Sequence, residues 1–487
     1  MSLVLLLAVL VPFATVPAIF LSRHRPDVRE AASLGGAAVT FLLAAALVPA
    51  VLADAPPEAT LLEPVPGLAL TFRADALGVL FATLASFLWI LTTVYSIGYL
   101  RARRAHAQTR YFAAFAAVMG ATVGVALSAN LFSLLVFYEF LTLTTYPLVI
   151  HEESEEAYAA GRKYLVYTLS GGGAILAGLA ITYSLAGDVT FIAGGNPALA
   201  ALEEGPLRAV ALLLVAGFGV KATIMPLHGW LPDAMVAPTP VSGLLHAVAV
   251  VKAGVFGILR TVHFLLGPQA TVATGAQAVL LVVAPVTILS ASLFALIQDN
   301  FKRRLAYSTI SQLSYVVLGA ALLTPAALLG AAFHLVGHGF AKLTMFFVAG
   351  SVAVRTGRER ISELDGVGRR MPGTMAAFAL ATLAMAGLPP MAPFISKWYL
   401  SLGAWDADQA VLVLVLAASS VLNIAYFLPI LMRAFFAPGE GDRGEGDRTL
   451  YGPVLATALG GLLLGLWTAL PYGPFEVARA LAQGVFP

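Results

Sequence analysis

Four lysines and one glutamate stand where the surrounding sequence is almost wholly apolar: Lys221, Lys252, Lys342 and Lys397, with Glu139 inside Leu134-Leu135-Val136-Phe137-Tyr138-Glu139-Phe140-Leu141. A charge held at the centre of a bilayer costs about 3 kcal/mol on insertion scales. Such residues ask for a chemical reason. Ion pairing between helices is one, but a single carboxylate cannot neutralise four lysines. A hydrated relay is another. An amine in dry surroundings gives up its proton more readily and a nearby carboxylate holds it, so the group can be loaded and released. Arg260, also within an apolar stretch but near its end, is expected to snorkel.

Histidines extend the line. His334, His338 and Lys342 recur at i, i+4 and i+8, one stripe of a helix. Two histidines so spaced could bind a metal, pack as a structural pair, or pass protons. No carboxylate or cysteine accompanies them on that stretch and a lysine takes the next position, which favours the relay and leads to an expectation of no metal. His246, six positions before Lys252, falls on a different face.

Proline interrupts two of the apolar stretches. One runs Lys221-Ala222-Thr223-Ile224-Met225-Pro226 and on to Pro232-Asp233; the other runs Gly387-Leu388-Pro389-Pro390-Met391-Ala392-Pro393 to Lys397. Proline removes a backbone donor and clashes with the preceding turn. The carbonyls freed by Pro226, Pro389, Pro390 and Pro393 must then face protein or water, since lipid cannot satisfy them. Interrupted helices in both halves of a chain suit a transporter built from inverted repeats; packing kinks are the simpler alternative. Asp233, after the first break, reads equally as a gate or as a solvated residue. Ser170-Gly171-Gly172-Gly173 lies inside an apolar helix, where close packing outweighs phosphate binding.

The elements that must position these residues follow from composition. The chain has 487 residues, 59% hydrophobic and 11% charged, where a soluble protein carries about 25% charged residues. Its apolar runs predict an all-α polytopic membrane protein with fourteen spans, at about 2–22, 31–53, 76–100, 111–128, 131–150, 163–186, 209–226, 241–264, 273–298, 305–322, 326–353, 374–402, 409–432 and 451–472. Residues 475–481 are expected to lie along the membrane surface. Odd-numbered connections hold twenty Lys and Arg, Arg443 among them, against three in the even connections and C-terminal segment. The positive-inside rule then puts both termini outside. The absence of cysteine excludes thiolate-held clusters and thiol catalysis. No cofactor of its own is expected, nor nucleic-acid binding, since the basic residues are scattered through short loops.

Together these residues resemble the antiporter-like subunits shared by Mrp-type multisubunit cation/proton antiporters, membrane-bound hydrogenases and respiratory NADH:quinone oxidoreductase. The stretches that carry the likeness are KATIMPLHGWLPDAMVAPTPVSGLLHAVAVVKAG (221–254), NFKRRLAYSTISQLSYVVLG (300–319), HLVGHGFAKLTMFFVAG (334–350) and GLPPMAPFISKWYL (387–400). Within the family the chain is most similar to the Mrp D subunit. The resemblance implies inverted five-helix repeats at 111–264 (helices 4–8) and 265–437 (helices 9–13). These lie between N-terminal helices 1–3 (1–110) and a final loop, helix 14 and tail (438–487), with helices 7 and 12 broken. It implies that Glu139 modulates Lys221, and that Lys252, His246, His334, His338, Lys342 and Lys397 continue the relay. Asn130 stands where related D subunits often carry an acidic residue. The expected work is proton translocation in a prokaryotic plasma membrane, beside other membrane subunits, coupled to sodium or potassium exchange. The alternative is a redox-driven complex, which this chain could serve as pump and not as catalyst.

Overall fold

A computed structural model of the chain describes residues 1–439 and 444–486; Arg443, counted above among the basic loop residues, lies outside the described residues. The helices follow the apolar runs: α1 Ser2–Leu21, α2 Pro26–Leu52, α3 Ala76–Ala102, α4 Gln108–Leu127, α5 Leu131–Val149, α6 Glu155–Ala186 and α7 Glu204–Ala222. Beyond the first break come α8 Thr239–Ala273, α9 Ala276–Leu296, α10 Phe301–Ala321 and α11 Pro325–Thr356. The last are α12 Pro372–Ala386, α13 Ala392–Asp406, α14 Val411–Phe436, α15 Arg448–Leu466 and α16 Pro474–Val485.

Among the described residues, twelve helices are long and apolar enough to cross a membrane. The two other expected spans differ for physical reasons. The tenth, α10, opens on Lys302-Arg303-Arg304 and carries many hydroxyl and amide side chains. The twelfth is divided at its prolines into α12 and α13, of 15 residues each. Pro393 does not break a helix; it stands in the first turn of α13, where no backbone donor is needed.

One feature departs from an all-helical reading. Glu58–Val65 (β1) and Leu68–Arg73 (β2) form an antiparallel hairpin in the second connection, with Thr60 opposite Thr71 and Arg73 bonded to Glu58 at 2.7 Å. Its turn holds Gly67 at φ +80°, a conformation glycine adopts without strain. The residues expected along the membrane surface form α16, whose Phe475, Val477, Ala478 and Leu481 are buried; the helix packs on α11 and α3.

Burial is arranged for a lipid solvent. The membrane-length cores of α8 and α11 are fully enclosed, whereas α1, α2, α14 and α15 bury about a third or less of theirs. The outer helices turn Leu42, Val166, Val282, Leu414 and Val421 outward, which lipid tolerates and water would not. α11 lies at the hub, against α3, α8, α10, α12, α13, α15 and α16. The helix that carries His334, His338 and Lys342 is thus enclosed by its neighbours.

Candidate functional site

Lys221 occupies the last turn of α7, which ends at Thr223 with φ +60°. Its Nζ donates to the Tyr138 carbonyl at 2.6 Å and lies 3.4 Å from the Tyr138 ring centroid, a cation held by a π face and a carbonyl. Glu139, next along α5, does not close a direct ion pair with it. The carboxylate instead packs on Gly172 of α6, where any side chain would collide with it, and its buried Oε1 has no hydrogen-bond partner. Two positions of the glycine run are thus explained by what they face, since Gly171 allows close approach to α7 and Gly172 makes room for Glu139. Trp230 Nε1 donates to the Val220 carbonyl at 2.9 Å, satisfying one of the groups freed where α7 stops.

Lys252 and His246 both lie in α8 and are separated by an irregular turn at Val248–Ala249. No proline marks that turn. Lys252 Nζ donates to the Leu335 carbonyl of α11 at 2.7 Å, and a Cβ on Gly339 would lie 2.6 Å from it. The ammonium thus rests on α11 over Leu335 and Gly339, each next in sequence to one of its histidines. His334 and His338 have near-parallel rings with centroids 5.8 Å apart, and His334 Nδ1 is 2.8 Å from Ser396 Oγ. His334 Nε2 and both ring nitrogens of His338 and His246 are buried without a hydrogen bond. Among the described residues no set of three His, Asp or Glu gathers as a metal site. One turn beyond His338, Lys342 donates to Ser308 Oγ and to the Leu305 carbonyl.

Lys397 lies across the second break. Its Nζ donates to the carbonyls of Met385 and Ala386 at 2.8 and 3.3 Å and to Ser420 Oγ at 3.0 Å. The two carbonyls belong to the last turn of α12, so the lysine caps the negative end of the interrupted helix.

Arg260 corrects the expectation that it snorkels. α8 continues to Ala273, which puts Arg260 in the interior at 0% exposure. It makes two hydrogen bonds to Asp75, the Nη2–Oδ1 bond at 2.8 Å, amid Phe191, Phe256 and Phe264. Asp75 also caps α3 by accepting from Gly78 N at 2.8 Å. Reading by single residues missed this carboxylate because it stands just outside an apolar run. Asp233 is bridged and not free: Lys163 reaches it at 2.6 Å, and Arg303 lies at 3.6 Å. The three line a cavity of about 730 Å³ with Arg103, Glu152 and Lys302, on the face that carries the basic loops.

Residues 128–423 match the family described as NADH:quinone oxidoreductase/Mrp antiporter, TM. The chain belongs to this family. The matched residues include Glu139 and all four buried lysines. NADH-quinone oxidoreductase subunit N of Desulforudis audaxviator is 35% identical over 401 residues, 79% of each chain. A probable K(+)/H(+) antiporter subunit of Rhizobium meliloti is 32% identical over 435 residues, 86% of this chain and 42% of its own. A Na(+)/H(+) antiporter subunit of Alkalihalophilus pseudofirmus is 33% identical over 78% of this chain and 50% of its own. The chain thus spans about half the length of these antiporter relatives. A chain of the Mrp complex from Dietzia sp. shares the fold with a TM-score of 0.87 at 23% identity, covering 100% of this chain and 98% of that one. A chain of respiratory complex I from Thermus thermophilus does so at 0.84 and 24%, covering 99% and 100%.

Proposed function

We propose that the chain is the proton-translocating membrane subunit of a multisubunit monovalent cation/proton antiporter, most like the D subunit. It would sit in a prokaryotic plasma membrane with both termini outside, beside other membrane subunits, and exchange protons for Na+ or K+. The carrying observation is that all four buried lysines donate to backbone carbonyls or hydroxyls, and none to a carboxylate. Structural ion pairing needs counter-ions that these contacts lack. A relay needs amines that can lose a proton, set beside groups that accept in turn. Protons would pass by way of Glu139, Lys221, Lys252, His246, His334, His338, Lys342 and Lys397, with water across the gaps. The chain is then a transporter part and not a redox catalyst.

Two inverted repeats, residues 111–264 and 265–437, are part of this reading, and matching backbone joints support them. Asn130 caps α5 by accepting from Ser133 N, while Leu131 N and Phe191 N bond to Val189 O and Ala129 O. Asn300 caps α10 by accepting from Arg303 N, while Phe301 N and Ile361 N bond to Glu359 O and Asp299 O. Each joint ties the second helix of a repeat to the segment after the third. A redox-driven pump is the second reading, favoured by the subunit N relative, whose length the chain covers most fully of the three compared.

The test is pH-gradient formation in vesicles holding the assembled complex, with assembly checked by native gel. Lys252→Ala and Lys397→Ala should each remove transport by at least about 100-fold, the lower range for losing a proton-transfer group. The double variant should do no worse, since a path cut once is already cut. Lys→Arg should fail nearly as badly, because guanidinium keeps its proton. Near-normal transport by either arginine variant would take that lysine out of the pathway.

A further inference from the structure

The route from Lys342 to Lys397 has a second set of polar groups beside it, none of them charged and none on α11. Ser308, Ser311, Gln312 and Tyr315 lie on α10, Ser292 on α9, and Ser419, Asn423 and Tyr426 on α14; all are buried at 0% exposure. Lys342 Nζ donates to Ser308 Oγ. The Tyr426 hydroxyl faces Ser308 and Ser292 and donates to Asn423 Oδ1. Ser292, Ser311 and Ser419, from three helices, form a triangle with Oγ separations of 2.9, 3.4 and 3.4 Å. The Tyr315 hydroxyl makes no direct hydrogen bond; Ser419, Gln312 and Ser420 are the polar groups that face it. Ser420 Oγ then accepts from Lys397 Nζ at 3.0 Å.

We propose that these hydroxyls form a proton lane between Lys342 and Lys397, parallel to the His334–His338 stripe and branching from it at Lys342. The inference deepens the relay reading above and depends on it. A hydroxyl both accepts and donates, so a chain of them passes a proton without any member holding charge. A proton leaves the Lys342 ammonium for Ser308 Oγ, whose own proton moves on. Each oxygen takes one and passes one, until the neutral Lys397 amine receives the last. The ends exchange charge states and the hydroxyls are unchanged.

A buried serine on a membrane helix ordinarily rests its hydroxyl on its own helix, and this is partly so here. Ser292 donates to Ile288 O at 2.8 Å, and Ser308 to Leu305 O at 2.9 Å. Packing alone does not call for three serines from three helices at one point, nor for a tyrosine hydroxyl on either side directed toward the serine next to each lysine. Those resting bonds describe a lane at rest, which rotation of the hydroxyls connects. The open joins, at Tyr426, whose hydroxyl bonds only to Asn423, and at Tyr315, are of the kind single waters span. Asn423 is a positioning residue: its Nδ2 donates to Ser419 O at 2.7 Å, which turns Oδ1 toward Tyr426.

The experiment compares Tyr315→Phe, Ser419→Ala and Ser419→Thr in vesicles holding the assembled complex, with Lys397→Ala as reference. Tyr315→Phe and Ser419→Ala should each lower proton flux by about tenfold, below the usual loss for a proton-transfer group because the histidine stripe remains. Ser419→Thr keeps a hydroxyl and should retain most of the flux, which a packing role for the smaller side chain would not allow. Wild-type flux in both Tyr315→Phe and Ser419→Ala, with Lys397→Ala inactive, overturns the lane and leaves the relay standing. Wild-type flux in all three removes the relay itself.

Discussion

The two halves of the bundle share their joints and their breaks but differ in what surrounds the buried cations. In each half an asparagine caps a helix, α5 or α10, whose adjoining backbone bonds to a later segment of the chain, and in each a proline-bearing break lies beside a lysine. The first half places a carboxylate near two of its cations: Glu139 beside Lys221, and Asp75 on Arg260. The second half holds Lys342 and Lys397 on carbonyls and hydroxyls, and among the described residues its acids lie in connections or at helix ends. Carboxylates can bias a neighbouring amine strongly and at a distance. Carbonyls and hydroxyls act only in contact. On the proposed relay, the first half would suit sensing and the second passing a proton on.

The largest effect expected from this contrast is at Glu139. Glu139→Gln keeps shape and removes charge, so transport should fall steeply, by about 10- to 100-fold if the carboxylate acts on proton transfer. Gly172→Ala should reproduce part of that loss while leaving the carboxylate's charge in place, because its methyl group collides with Glu139 and would displace it. Gly173→Ala, where nothing lies within 4 Å, should be silent. Normal proton flux in an assembled Glu139→Gln complex would reduce the glutamate to packing and erase the difference between the halves.

Asp75→Asn comes next and reads out as stability. Asparagine can still cap α3, but it leaves a fully buried guanidinium without its counter-ion, and breaking such a pair costs about 3–5 kcal/mol. Thermal unfolding of the detergent-purified complex should shift downward by several degrees. An unchanged midpoint would mean that the Phe191, Phe256 and Phe264 faces alone hold Arg260.

Hydropathy alone located twelve of the fourteen expected spans as membrane-length helices, because such helices are selected for apolar length. The buried lysines were legible for the same reason: each interrupts an apolar run. What stayed hidden lacked such contrast. Arg260 looked terminal because polar residues such as Thr261 and His263 weaken the hydropathy of α8 before its true end at Ala273. The turn at Val248–Ala249 carries no proline, and the hairpin's register shifts between Thr60 and Val65, so no clean two-residue alternation marks it. Asp75 was passed over because its partner lies 185 positions away. The serines of α9, α10 and α14 have no individual signal, and only their convergence makes them chemically interesting.

The smallest effect tests whether the two matched joints are equivalent. Asn130 and Asn300 both accept from a backbone N–H in the first turn of their helices, at 2.7 and 3.0 Å. An aspartate could do the same, and helix N-termini favour its charge. The joints differ in the other half of the amide. Asn130 Nδ2 also donates to Ala69 O at 2.8 Å, which ties α5 to β2. Asn130→Asp should therefore lose one hydrogen bond and turn a carboxylate toward a carbonyl, a cost of about 1–2 kcal/mol. Asn300→Asp has no such bond to lose and has the Arg303 backbone N–H in place, so it should be neutral or slightly stabilising. Unfolding midpoints of the two variants, measured side by side in the same detergent, decide the matter. Equal shifts would mean that the hairpin adds nothing to the first joint.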